Sequence, residues 1–576
     1  MKCTGIVLTA GLVWNAAAQV SADRLRDAAR EPQNWLTYNG SYASTHHSTL
    51  NLLRPDNVAR LDLKWVWQAN SLEKFEATPL VVDGVMYLSD PPNDVVAIDA
   101  RTGRAFWRYR HQLPPGVVPC CGRVNRGLAI QGNTLYMGTL DAKLVALDAA
   151  TGRKRWDVKV ADYAAGYSLT LAPLAIGNRI IVGTAGGELG IRGSIVAYDA
   201  NNGKELWRFK TIPEPGEPGN ETWNGDSWMH GGASVWLTGS YDPELNLTYW
   251  GIGNPGPDWN PELRKGDNLY SDSVVALDAD TGKLKWYFQF SPHDGFDFDS
   301  VQIPVLADLT WKGKPRKAML WGNRNGFFYV LDRSTGEFLS GTPFVKQTWA
   351  VGLDERGRPI KADNRMPSAE GTLTYPGVQG GTNWYAPSFS PITGLFYLTA
   401  WEDYPGVYYA WAQEYEAGKW FSGGSVRADL PATIRQEIRT IGPESGYGTI
   451  RALDPATGRR VWEYKMNDVS DSGLLTTAGG LLFSGNREGH FFALDARDGK
   501  LLWDRYLGGQ VASSPITWSM DGPFGPRPVW CVPVIRPDME LVWPLPMPPA
   551  AALSTPLRTW ISERNGASGE RQGVMW

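Results

Sequence analysis

Short apolar runs alternate with polar turns along most of the chain, and one arrangement of the two keeps returning. At 97–107 it reads Ala97-Ile98-Asp99, then Thr102-Gly103, then Trp107: an apolar end, Asp, a Gly four residues on, and Trp four residues after that. The same spacing recurs as Ala146-Leu147-Asp148…Gly152…Trp156, Ala197-Tyr198-Asp199…Gly203…Trp207 and Ala276-Leu277-Asp278…Gly282…Trp286. It recurs again as Ala452-Leu453-Asp454…Gly458…Trp462 and Ala493-Leu494-Asp495…Gly499…Trp503, while Val330-Leu331-Asp332…Gly336 carries Ser340 at the Trp position, making seven copies. Self-similarity at such a period sets the architecture before any single element does.

Each copy has a physical reading. Asp ends a strand and bonds its own backbone to start a turn. Gly supplies a positive φ in that turn. Trp then stands on an alternating strand as a flat apolar plate. Another strand pair precedes most copies, as in Pro79-Leu80-Val81-Val82-Asp83-Gly84-Val85-Met86-Tyr87-Leu88. One repeat is thus about four short antiparallel strands, and such a sheet buries its faces only by stacking on its neighbours. Radial stacking predicts an all-β propeller with Trp-docking repeats. Asn57 to Trp67, with Trp65, resembles the Trp-bearing end of a repeat without its beginning. It predicts an N-terminal strand in the same blade as the Trp503 repeat, and with the seven copies a total of eight blades. The regular recurrence of the motif argues against a tandem of unrelated sandwiches.

Composition agrees: 64 Gly, 40 Pro and 27 Trp suit many turns and many stacked plates. The net charge of −4 has both signs dispersed, without the clustered Lys and Arg of a nucleic-acid surface. No apolar run reaches the length of a membrane span. Residues 1–18 read as a signal peptide, with Lys2, the apolar Ile6 to Val13 and the small Ala16-Ala17-Ala18. A frayed apolar N-terminus is the alternative. Export implies an oxidising compartment. Cys120 and Cys121 are adjacent, and taken alone they read as two buried thiols. No Cys-x-x-Cys-His stretch occurs, so no covalent c-type haem is expected. The expected organisation is 1–18 signal, 19–522 propeller and 523–576 a Pro-rich tail without the repeat.

Candidate chemistry lies where the repeats are interrupted. Thr184-Ala185-Gly186-Gly187-Glu188-Leu189-Gly190 places small residues around one carboxylate. Such a stretch permits close approach of a flat ligand to the backbone, though Gly-rich hairpins are common in propellers. Gly253-Asn254-Pro255 closes another strand on an amide. His293-Asp294-Gly295-Phe296-Asp297-Phe298-Asp299 packs four potential ligands into one loop. Glu188, Asn254 and Asp297 offer oxygen to a hard cation from three separate repeats. Trp236 supplies an aromatic face and the Cys pair a plate for the other side. Arg126, Thr139, Thr170 and Arg324 are suited to anionic oxygens. Together these fit a planar, polyanionic, metal-chelating cofactor.

With those motifs in place the chain resembles the pyrroloquinoline quinone (PQQ) dependent alcohol dehydrogenases over roughly 34–522. The resemblance implies PQQ and one metal ion as cofactors. It implies a disulfide between Cys120 and Cys121 on one face of the quinone and Trp236 on the other. It implies cofactor contacts from Glu76, Arg126, Thr139, Thr170, Ala185, Gly186, Gly187, Asn383 and Trp384. Glu188, Asn254 and Asp297 become metal ligands, Asp297 the catalytic base, and Arg324 the cation beside the reactive carbonyls. The implied activity is oxidation of a primary alcohol to an aldehyde in the periplasm, with electrons passing to a separate cytochrome c. A homodimer is possible. The alternatives are a quinoprotein dehydrogenase of a sugar or polyol, and a non-catalytic propeller scaffold. Asp299 refines the metal. In an extended segment residues i and i+2 share a side, so Asp299 is expected beside Asp297 as a fourth ligand. Lanthanide-type relatives have Asp there, and three carboxylates favour a trivalent ion, so a lanthanide is expected rather than calcium.

Overall fold

The computed structural model describes residues 20–71, 73–426, 446–522 and 525–531. The signal-like segment 1–18 and nearly all of the tail lie outside them. Among the described residues, seven sheets each carry one copy of the repeat on four antiparallel strands. The first comprises Leu80–Val82, Val85–Asp90, Asp94–Asp99 and Ala105–Tyr109. The sixth is split by an insertion between Leu395–Glu402 and Tyr447–Leu453, two strands of which, Gly406–Ala410 and Gly424–Val426, form a small three-stranded sheet with Thr372–Thr374. The seventh, carrying Trp503, gains a fifth strand, because His47–Ser48 pairs in parallel with Leu475–Thr477. Inner strands are buried throughout, whereas last strands such as Lys154–Lys159 alternate between exposed and half-buried.

The motif's geometry explains its recurrence. Five of the six motif Trp rings lie on the turn glycine of the next sheet: Trp107 on Gly152, Trp156 on Gly203, Trp207 on Gly282, Trp286 on Gly336 and Trp462 on Gly499. A Cβ at Gly152 would stand 2.4 Å from the Trp107 ring, so the position demands Gly for close approach as well as for its φ of 71°. The indole N–H groups of Trp107 and Trp462 donate to the carbonyls of Ala149 and Ala496, at 3.2 and 3.1 Å. Where Ser340 replaces Trp, Thr342 packs on Gly458 instead. Every copy also carries a register shift between the two residues before the Asp, as at Ala97/Ile98 and Ala493/Leu494. This β-bulge bends the strand into its turn. It has no signature apart from the motif, which is why the repeat reads as plain alternation in sequence.

The expected place of Trp65 is corrected. Residues 61–69 form no strand of the Trp503 sheet. Trp65 lies on Gly103, the docking place that a repeat preceding the first sheet would supply. Because a docking Trp belongs to the sheet before its glycine, Trp65 stands one step beyond the Trp503 sheet. It packs in one core with Trp503, Ile516 and Trp518. Beside it, Ile516–Gly522 and Gly525–Cys531 pair as two antiparallel strands.

Candidate active site

Inner strands and the turns that follow them enclose a cavity of about 390 Å3, within the range of small-molecule sites. Cys120 and Cys121 form a disulfide in its wall. Trp236, Glu76, Arg126, Thr170, Ala185, Gly186, Glu188, Asp297, Asp299, Arg324, Asn383 and Trp384 line it too, although they come from many repeats. Thr139 does not: its hydroxyl donates to Asp141 Oδ1 at 2.6 Å, because it sits just past the strand Thr134–Gly138 and serves that turn. Gly187 and Asn254 lie just behind the wall, with Asn254 Oδ1 3.8 Å from where a Gly187 Cβ would stand. Gly186 is required by the fold itself, since a Cβ there would meet the Gly166 carbonyl at 2.1 Å.

One region of the cavity is cationic. Glu76 is buried and bridges Lys74 (2.8 Å) and Arg126 (2.7 Å). Burial alone would raise its carboxyl, but the two cations hold it below its ordinary value. The Arg126 guanidinium lies over the Trp236 ring at 4.8 Å and over Trp384 at 5.6 Å. Both ends of the Asn383 amide are used locally, by the Gln379 carbonyl (3.0 Å) and the Trp384 N–H (2.9 Å).

The other region is acidic. Arg324 donates to Asp299 Oδ2 at 2.6 Å, to Asp297 Oδ2 at 3.2 Å and to the Val378 carbonyl. Asp299 Oδ1 accepts the Asn254 backbone N–H at 3.0 Å. Asp299 is therefore buried and turned inward, but not for the expected reason. Asp297 has a φ of +61°, so the segment is not extended. The shared guanidinium brings the two carboxylates together. Burial pushes the Asp297 carboxyl well up, and Asp299 adds to this while Arg324 opposes it. Glu188 is raised to about 7 by burial and then by the Asp299 charge. Burial works against the Arg324 charge, yet Asp297 and Asp299 more than compensate and hold it above its ordinary value.

Two acidic oxygens here, Asp297 Oδ1 and Asp258 Oδ2, are buried without any hydrogen-bond partner. Asp297 and Asp299 share the guanidinium of Arg324, while Glu188 and Asp258 enter no ion pair among the described residues. Such a surplus of hard oxygen is what a bound cation would satisfy. Glu188 also reaches to within 4.8 Å of the disulfide sulfurs, which as bonded sulfur are no ligands for a hard ion. Sequence reading missed Ser168 and Ser234, which line the cavity two residues before Thr170 and Trp236. Neither pair lies on a strand, so no period in the sequence points to them. It also missed Lys74, Asp471, Arg487 and Gln510, which look like ordinary surface charge or polarity in sequence.

Fold and site together define a propeller enzyme with a cavity suited to a flat anion at one place and a hard cation at another. The profile of the Glucose/ethanol/alcohol dehydrogenase beta-propeller domain matches residues 35–346. A shorter stretch, 446–519, matches that of the outer membrane protein assembly factor BamB. The chain is 41% identical to the quinoprotein alcohol dehydrogenase PedH of Pseudomonas putida, over 90% of this chain and 89% of that protein. It is 37% identical to the lanthanide-dependent methanol dehydrogenase of Methylacidiphilum fumariolicum, over 88% of this chain and 86% of that protein. A solved europium-containing methanol dehydrogenase superposes with a TM-score of 0.81 at 36% identity, covering 87% of this chain and 90% of that one. The chain belongs to the PQQ-dependent alcohol dehydrogenases.

Proposed function

We propose that this protein oxidises a primary alcohol to an aldehyde with PQQ and one lanthanide ion bound in the described cavity. The observation that carries the lanthanide assignment is the inward Asp299, joined with Asp297 to one guanidinium beside Glu188 and Asn254. Three carboxylates and an amide match a trivalent ion better than a divalent one, which would leave more repulsion among them. Glu188, Asn254, Asp297 and Asp299 hold the ion. The disulfide and Trp236 hold the flat faces of the quinone. Arg126, Thr170, Ser168 and Lys74 bind its carboxylates.

Bound together, the quinone supplies the two-electron acceptor and the metal supplies Lewis acidity. The chain's own residues do the rest. Asp297 is the base that takes the hydroxyl proton of the alcohol. Arg324 holds Oδ2 of the same carboxylate, so the base keeps one orientation. The guanidinium also opposes negative charge that develops beside it. Val378, Tyr404 and Pro405 line the cavity and form an apolar wall against which a short alkyl chain can rest.

The N-terminal segment through Trp65 and the strand pair of Ile516–Gly522 and Gly525–Cys531 supply parts of an eighth blade. The enzyme works in the periplasm after removal of residues 1–18. Its electrons go to a separate cytochrome c. The test is reconstitution of cation-free protein with PQQ and either lanthanum or calcium, assayed on short primary alcohols and glucose. Lanthanum-supported alcohol oxidation that falls at least tenfold with calcium is expected. Equal activity with calcium would overturn the lanthanide assignment, and a preference for glucose would overturn the substrate class.

A further inference from the structure

Asp258 is the acidic residue of this cluster that nothing above employs. It sits in the Gly-Pro turn just after Asn254 and is 1% exposed. Its Oδ1 accepts from Asn254 Nδ2 at 2.9 Å. Its Oδ2 is buried with no partner, and it enters no ion pair among the described residues. Nearby Arg264 spends its guanidinium on the carbonyls of Pro257, Asp258 and Asp294 and on Asn268 Oδ1, not on this carboxylate.

The backbone of Asn254 is clamped at both ends. Its N–H donates to Asp299 Oδ1 and its carbonyl accepts the Ala233 N–H at 2.9 Å. Only the side-chain torsions remain free, and an amide has one donor end and one acceptor end. A buried carboxylate that only accepts fixes the donor end. The Asn254 Oδ1 therefore faces the other way, toward Gly187. A flipped amide would set two oxygens against each other. The charge matters as well. Asp258 adds a fourth carboxylate beside Glu188, Asp297 and Asp299. The Glu188 charge bears on Asp258 and the Asp258 charge on Asp297, so the four carboxylates share one field.

We propose that Asp258 is a positioning residue of the cation site, which turns the Asn254 carbonyl oxygen toward the ion and supplies the charge that favours a trivalent over a divalent cation. The proposal rests on the cation-site reading given above. Outer residues that orient ligands are typically worth 10- to 100-fold in metal affinity.

The test uses the full chain freed of cation and titrated with terbium by tryptophan-sensitised luminescence, with calcium as competitor. Four chains are compared: native, Asp258→Ala, Asp258→Asn and Glu188→Gln. Asp258→Ala is expected to weaken terbium about 10- to 100-fold and to shorten the emission lifetime, because water replaces the displaced Asn254 oxygen. Asp258→Asn keeps an acceptor for the Asn254 amide but lacks the charge. It is expected to keep the native lifetime while the preference for terbium over calcium falls about tenfold. It also keeps the test decisive should the alanine variant fold poorly. Native affinities and lifetimes in both Asp258 variants, with terbium binding lost in Glu188→Gln, would overturn the role of Asp258 alone. Unchanged terbium binding in Glu188→Gln would overturn the cation-site reading and this proposal with it.

Discussion

Glu188 makes the cation-free protein sensitive to pH in a direction opposite to that of most carboxylates. Its carboxyl is raised from 4.5 to about 7, first by burial and then by the Asp299 charge, while Arg324 opposes the shift. For an acid raised on folding, the native state holds the proton more tightly than the unfolded chain. The stability this confers is complete below pH 4.5 and is lost as pH rises through about 7. A shift of about 2.5 pH units corresponds to about 3 kcal/mol, an upper figure because the half-buried side chain still faces cavity water. Urea unfolding of cation-free protein from pH 4.5 to 8 should therefore show falling stability over that window, and Glu188→Gln should flatten the fall by up to about 3 kcal/mol. A saturating lanthanide should reverse the native trend, because the ion binds the deprotonated form and releases protons. Cation-free stability that rises toward pH 8, or an unchanged profile in Glu188→Gln, would refute the reasoning.

Two other perturbations follow from the same contacts. Arg324→Met leaves Asp297 and Asp299 buried without their shared cation. It should cost about 3–5 kcal/mol in cation-free protein at pH 8 and clearly less once a lanthanide is bound, both read by urea unfolding with and without the ion. Trp107→Ala removes a half-buried plate from Gly152 and the bond to the Ala149 carbonyl. A loss of about 2–4 kcal/mol is expected, with faster hydrogen exchange confined to the junction of the first two sheets.

Most of the fold was legible because the repeat is a packing rule written locally. Asp bonds its own turn, as Asp99 does to the Arg101 N–H at 2.8 Å, and Gly and Trp meet one sheet later. A rule repeated seven times survives any single exception, even Ser340. The site was legible where it breaks that repeat: the Cys pair, the Gly-rich turn with Glu188 and the loop holding Asp297. What depends on two distant segments was not. Trp65 reads as the end of a repeat, but its place in the ring depends on which glycine it covers, and that glycine is Gly103 of the first sheet. Thr139 was misread for a local reason instead: a carboxylate two residues away claims its hydroxyl. Asp299 was expected inward through an extended backbone that the positive φ of Asp297 rules out. Its inward place comes instead from Arg324 and the Asn254 N–H. Asp258 was invisible, because a lone acid in a Gly-Pro turn looks solvated until the turn is seen folded inward. The sequence alone determined the repeat, the strand pattern and the residue types able to hold a flat anion and a hard cation, since each follows from neighbours in the chain. Tertiary structure decided which carboxylates share one guanidinium and which oxygens are left without a partner, since burial and charge balance are properties of segments that meet only in space.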